Sequence, residues 1–179
     1  MVGTVMKDTE LRIIIELLKN SRRSDRELSK VIGISQPTVS RTIAKLMKQG
    51  YIKEFTIIPD FKKIGFEVMG ILLSNVKEKV TPELIEESRS KIRREEKENP
   101  NALLFGYSGM GLSSDRASIV LSKDYSEYAA FIRRAKNHPL VDVERMQGFI
   151  VDLSDESHYL PLTLSHVAKY LEKRVGTQS

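Results

Sequence analysis

The chain of 179 residues contains no cysteine, no tryptophan and only three histidines. Without cysteine there is no disulfide framework, no thiolate zinc site and no thiol nucleophile. His138, His158 and His166 are the only imidazoles, and their spacings match no metal motif, although His158 and His166 could share a helix face. Neither a metal nor a cofactor is expected. No apolar run approaches the ~18 residues of a membrane span, and the N-terminus lacks the apolar region of a signal peptide, so the expectation is a cytoplasmic protein with no membrane partner. Glycine-rich phosphate loops, internal repeats and low-complexity segments are also missing. What remains is an ordinary folded composition, 40% hydrophobic, long enough for one large or two small domains.

The charge that is present is unevenly placed. Residues 1–64 hold 13 Lys and Arg against 7 Asp and Glu, whereas residues 65–179 hold 16 against 17, so the formal charge of +5 comes from the N-terminal third. A basic module beside a near-neutral one suits nucleic-acid binding, because neutralised phosphates release counterions.

Within that third, SDRELSKVIGISQPTVSRTIAKLMKQG from Ser24 to Gly50 has the pattern of two short helices joined at a glycine. Leu28, Val31 and Ile32 point inward from the first, Gly33 supplies the turn, and Ile34 plugs the corner. Ser35 is an N-cap and Pro37 a first-turn proline for the second helix. Val39, Ile43, Leu46 and Met47 form its apolar side, leaving Gln36, Thr38, Ser40, Arg41 and Lys45 on the other. This is the spacing of a DNA-reading helix-turn-helix. Gln36, Ser40 and Arg41 are the candidate base readers, each good bidentate pair being worth about 1–3 kcal/mol of discrimination. Ser35, Thr38, Lys45 and Lys48 are candidate phosphate or sugar contacts, and Arg22, Arg23 and Lys53 complete the cation set. The competing reading is an amphipathic helical pair whose polar face is merely solvated.

A helix over about Asp8 to Asn20 backs this pair, and the β-branched and aromatic run Tyr51 to Ile58 predicts a strand in the position of a wing. PDFKKIG, Pro59 to Gly65, predicts a hinge. Beyond it the pattern alternates: strand Phe66 to Val76, helix Pro82 to Asn99, strands Ala102 to Tyr107 and Ala117 to Ser122, helix Tyr125 to Asn137, and strand Val141 to Leu153. That β-α-β-β-α-β order is ferredoxin-like, an antiparallel four-stranded sheet with two helices on one face. Leu84, Ile85, Ser88 and Ile92 form one inward stripe and Tyr125, Tyr128, Ala129, Ile132 and Ala135 the other. The uncovered sheet face calls for a partner subunit. The tail SDESHYLPLTLSHVAKYLEKRVGTQS predicts a further helix with Leu160, Leu164, Val167, Ala168, Leu171 and Val175 on one side, packing on its own domain or on a neighbouring subunit. The fold class is therefore α+β. Residues 1–58 form a winged helix-turn-helix, 59–65 a hinge, 66–153 a ferredoxin-like βαββαβ domain, and 154–179 a C-terminal helical extension.

The run LRIIIELLKNSRRSDRELSKVIGISQPTVSRTIAKLMKQGYIKEFTIIPDFKKIGF, with the domain order behind it, resembles the Lrp/AsnC (leucine-responsive, feast/famine) family of transcription regulators over about residues 7–153. The resemblance implies a homodimer packed sheet to sheet, of a kind that can assemble into tetramers or octamers, with two heads facing a near-symmetric site on double-stranded DNA. It also implies a small-molecule effector such as an amino acid, held between the second and third strands of the C-terminal domain. That place here reads GYSGMGLSSDRAS, so Gly106, Tyr107, Ser108, Gly109 and Asp115 are the candidate effector residues. Tyr107 and Gly109 stand where the family has acids, and the loop is longer. Two alternatives come from other classes: an enzyme like the siroheme decarboxylases, which share this scaffold, and a sensing or oligomerising module with a vestigial head. No catalytic residue is assigned.

Overall fold

A computed structural model describes residues 6–98, 102–155, 157 and 162–176, the side chain of Glu96 excepted. His158, Leu160 and Pro161 therefore lie outside the described residues. The chain divides into two compact units: the N-terminal residues to Ile58 together with the C-terminal helix, and the residues from Pro59 onward between them.

The first unit is built on three helices, α1 (Asp8–Lys19), α2 (Asp25–Ile32) and α3 (Gln36–Lys48). Each begins where a side chain satisfies otherwise orphaned backbone donors. Glu10 Oε2 accepts from the Lys7 N–H at 3.0 Å at the start of α1. At α2, Ser24 and Glu27 form a reciprocal capping box: the Ser24 N–H donates to Glu27 Oε2 at 2.7 Å and the Glu27 N–H to Ser24 Oγ at 3.3 Å. Ser35 caps α3 through the Thr38 N–H. Helix α2 ends at Gly33, whose φ of +82° a side chain would strain. Helix α3 ends in a Schellman pair, with the Tyr51 N–H on the Leu46 carbonyl and the Gly50 N–H on that of Met47. Ile13, Leu28, Val39 and Leu46 are fully buried where the three helices meet, with Ile14, Leu17, Ile34, Ile43 and Ile52 packed around them.

Three expectations change in this unit, the first being that Val31 and Met47, read as inward, are 50% and 44% exposed. The wing strand over Tyr51 to Ile58 does not form. These residues are irregular, with Phe55, Ile57 and Ile58 exposed. β-Forming side chains make a strand only where a neighbouring backbone completes the ladder, and among the described residues none does so here. The tail does form a helix, α6 (Ser165–Gly176), and it packs on α1. Its seat is narrower than the predicted stripe: Ala168 is fully buried, Leu171 and Val175 are half-buried, and Leu164 and Val167 are exposed.

The second unit is an antiparallel sheet in the order β2-β3-β1-β4, made of β1 (Val68–Val76), β2 (Ala102–Gly111), β3 (Ser114–Ser122) and β4 (Val141–Asp152), with helices α4 (Pro82–Glu98) and α5 (Tyr125–Lys136). This is the ferredoxin-like order. Val68, Leu72 and Val120 pack under Tyr128, Phe131 and Ile132 of α5. Pleating sends the intervening residues to the opposite face. There, register places Phe149, Ile71, Ile119 and Phe105 in one row across all four strands. Phe149 is 66% exposed and Tyr107, farther along β2, 65%.

Helix α4 departs from its predicted stripe. Ser88 is buried and Leu84 half-buried, but Ile85 and Ile92 are exposed. The side turned inward instead carries Lys91 and Glu95, whose long stems cover the surface while their charges pair at 3.9 Å. On α5, Tyr125 is likewise exposed and only Tyr128 fully enters the core.

The glycine-rich segment between β2 and β3 is also not the long loop expected. Both strands continue to a two-residue turn at Leu112 and Ser113, with φ of +51° and +56°. Gly106, Tyr107 and Ser108 lie in register with Ser118, Ala117 and Arg116, and Gly109 lies within β2. Glycine suggested a loop, yet these backbones find ladder partners, and Asn75 Nδ2 pins the turn by donating to the Ser113 carbonyl at 2.8 Å.

Candidate nucleic-acid interface

Helix α3 has the two sides that groove binding requires. Val39 and Leu46 anchor its inner side at 0% exposure, while Gln36, Ser40, Arg41, Ala44 and Lys48 are exposed on the outer side. Gln36, Ser40 and Arg41 lie in its first half, where a recognition helix meets base edges. Arg41 Nε donates to the Pro37 carbonyl at 3.2 Å, which folds the guanidinium along the helix toward its N-terminus. Ala44 sits between Arg41 and Lys48 on that face. Its small side chain lets the helix backbone approach a surface closely, a feature that a search for polar groups passes over.

The remaining predicted contacts fall into two groups. Arg22, Lys48 and Lys53 are exposed, and among the described residues no ion pair engages them. Ser35 and Thr38 share a hydroxyl hydrogen bond at 2.8 Å, and the Thr38 carbonyl also accepts from Thr42 Oγ1 at 2.7 Å, so their first role is to build the start of the helix. Lys45 and Arg23 are held by acids on α1. Lys45 Nζ lies 2.6 Å from Glu10 Oε1, and Arg23 Nη1 lies 2.9 Å from Glu16 Oε2. The Lys45 ammonium, with the Lys7 N–H, holds the Glu10 carboxyl below its usual range. These pairs join residues up to 35 positions apart, a distance over which sequence periodicity carries no information.

The predicted effector residues are brought to one edge of the sheet. Gly106, Tyr107, Ser108 and Gly109 are exposed on β2, where the Tyr107 ring stands 5.7 Å from that of Phe105. The Asp115 carboxylate accepts the Val76 N–H with both oxygens at 3.3 Å, which commits it to joining β3 to the end of β1.

Among the histidines, His166 is exposed on α6 and His138 is half-buried beside α4. His138 Nδ1 accepts the Leu140 N–H at 3.3 Å, and Nε2 lies 3.3 Å from Ser88 Oγ. Burial, and then the nearby Lys91 ammonium, push its pKa down.

A capped helix-turn-helix with a polar outer face, followed by a ferredoxin-like unit, defines the architecture of a DNA-reading regulator. Comparison with known proteins gives the same class. A winged helix-turn-helix DNA-binding family profile matches residues 6–53. The transcriptional regulator Ptr1 of Methanocaldococcus jannaschii is 31% identical over 134 residues, which cover 75% of this chain and 83% of Ptr1. LrpC of Bacillus subtilis is 43% identical over 68 residues, 38% of this chain and 47% of LrpC. The LrpC structure superposes at a TM-score of 0.65, with 25% identity, over 87% of this chain and 100% of LrpC. The structure of regulator NMB0573 from Neisseria meningitidis, a complex with L-Met, shares the fold at a TM-score of 0.67 and 18% identity, over 91% and 99% of the two chains. The chain belongs to the Lrp/AsnC family of transcription regulators. It spans about half the length of several curated relatives it matches, LrpC among them.

Proposed function

We propose that this protein is a sequence-specific DNA-binding transcription regulator that works as a homodimer. The carrying observation is the outer face of α3, where Gln36, Ser40, Arg41 and Lys48 stand exposed on a helix whose other side is locked into the core by Val39 and Leu46. Gln and Arg can read adenine and guanine bidentately, while Arg22, Lys48 and Lys53 are free to meet phosphate. The mechanism is occupancy rather than chemistry: a bound dimer blocks or recruits polymerase. The names of the matched relatives, transcriptional regulators, support a non-enzymatic role.

Dimerisation is supported by the uncovered sheet face, whose row Phe149, Ile71, Ile119 and Phe105 places apolar surface opposite the helices. Two such faces stacked at about 10 Å make a sandwich core. A dimer presents two copies of α3, so selection from random duplexes should return a two-fold symmetric site with half-sites about one or two helical turns apart. Recovery of single, unpaired half-sites would refute the dimeric reading, and failure to enrich any sequence would refute specific recognition.

A small-molecule effector is the second part of the proposal. It is supported by the L-Met complex of NMB0573 and by the exposed edge at Gly106, Tyr107, Ser108, Gly109 and Asp115. An amino-acid ammonium would have to compete with the Val76 N–H for Asp115, so binding there should be weak. Calorimetric titration with the standard amino acids tests it, and an Asp115→Asn variant that binds as well as wild type would remove this site.

A further inference from the structure

Four side chains of alternating charge join the C-terminal helix to the turn that precedes α2. Glu172 on α6 meets Lys19 at 2.5 Å, Lys19 meets Glu16 at 2.6 Å, and Glu16 holds Arg23 at 2.9 Å. Glu16 is the interior member, its side chain only 11% exposed. It therefore depends on its two cations, since a carboxylate so far out of water is costly without them. Glu172 reaches this ladder because Ala168, one turn earlier on α6, is seated on α1 with no exposed surface.

The position of Arg23 gives the ladder a consequence. It directly precedes Ser24, the cap of α2, and follows the exposed Arg22. In a helix-turn-helix the first helix of the pair crosses the phosphate backbone. An arginine there adds to affinity only when its guanidinium is free to turn toward a phosphate, and here Glu16 holds it back.

We propose that Glu172 is a positioning residue for DNA binding: by drawing on Lys19, it leaves Glu16 reliant on Arg23 and so withholds Arg23 from phosphate. The inference rests on the DNA-binding reading above. When Glu172 is neutralised, Lys19 belongs wholly to Glu16, the hold on Arg23 loosens, and the arginine becomes available to DNA. The extension at the C-terminus thus acts as a brake on non-specific affinity, exerted through a contact that lies wholly within the first unit.

The test is a double-mutant cycle in the full-length protein, with wild type, Glu172→Gln, Arg23→Ala and the double variant titrated against a random duplex at several salt concentrations. Glu172→Gln should bind roughly two- to five-fold tighter, the scale of a partly exposed ion pair. Its slope of log affinity against log salt should steepen by up to about 0.9, the value of one added phosphate contact. In the Arg23→Ala background the same substitution should leave affinity and slope unchanged. Equal gains in both backgrounds would mean that only net charge had changed, and would overturn the proposal, as would no gain at all. If wild type and all variants fail to bind at low salt, the DNA-binding reading fails and this inference with it, a pattern distinct from additivity. Unfolding curves of Glu172→Gln that match wild type establish that α6 stays docked, because the substitution keeps the side chain's shape.

Discussion

Substituting Gly70 by alanine should destabilise the ferredoxin-like unit, and the structure shows why. A Cβ at Gly70 would lie 2.3 Å from Cε2 of Tyr128, 3.1 Å from Cδ2 and 3.2 Å from Cζ. Carbon atoms in contact prefer about 3.5–4.0 Å, so the ring would have to retreat by more than an ångström. It has little room to do so, because Tyr128 is 5% exposed and its hydroxyl already approaches Gly148, where an added Cβ would lie 2.9 Å from Oη. The two glycines on adjacent strands form the seat for one aromatic ring. Overpacking of this kind costs about 1–3 kcal/mol, and the rigidity of the ring favours the upper half of that range. Urea unfolding followed by far-UV circular dichroism reads the loss. Tyr128→Leu costs stability alone through lost burial, but in combination with Gly70→Ala it makes room for the new methyl. The cycle should therefore show a favourable coupling of about 1 kcal/mol or more. A Gly70→Ala protein within about 0.5 kcal/mol of wild type, or strict additivity with Tyr128→Leu, would refute the reasoning.

Four further outcomes follow from the structure. Ser24→Ala removes one half of the capping box with Glu27 and should cost the helical head about 0.5–2 kcal/mol, measured by thermal unfolding. His138 has a folded pKa below its ordinary 6.5, so it favours the unprotonated folded state; the stability it contributes is complete above pH 6.5 and is lost as pH falls from there toward the folded value, a slope that His138→Gln should flatten. Phe149→Glu places a charge on the open sheet face, at its β4 edge, and should yield monomers by light scattering; an intact dimer would show that another surface holds the subunits. Arg41→Ala should weaken binding to a selected site by about 1–3 kcal/mol while leaving random DNA nearly unaffected, whereas Lys48→Ala should weaken both alike.

Much of this architecture could be read from the residues because its causes are local. The helices of the head follow from apolar spacing, Ser35 and Gly33 mark their ends, and the strand and helix order of the second unit is preserved from Val68 to Asp152. Expectations failed where a distant partner decides the outcome. Tyr51 to Ile58 has a strand's composition but finds no ladder among the described residues, and Gly106 to Gly109 has a loop's composition but a ladder on β3. Lys45 and Arg23 read as free cations because Glu10 and Glu16, which hold them, sit on another helix. The alternation of Gly70 with its strand neighbours gave no sign that Tyr128, 58 positions later, needed the space. On α3, Gln36, Ser40 and Arg41, read as its polar side, are exposed, and the structure separates Lys48 from Lys45, which Glu10 already holds.

Whether α3 reads DNA in a specific complex is decided by fluorescence-anisotropy titration against the DNA upstream of the protein's own gene and against a random duplex over a range of salt. A site within the upstream DNA should bind at least ~10³-fold tighter than the random duplex. Both affinities should fall steeply as salt rises, because phosphate contacts release counterions. Equal, weak affinities for the two duplexes would contradict sequence-specific reading at that site. Absence of binding to either at low salt would contradict a DNA-binding role for the helix-turn-helix altogether.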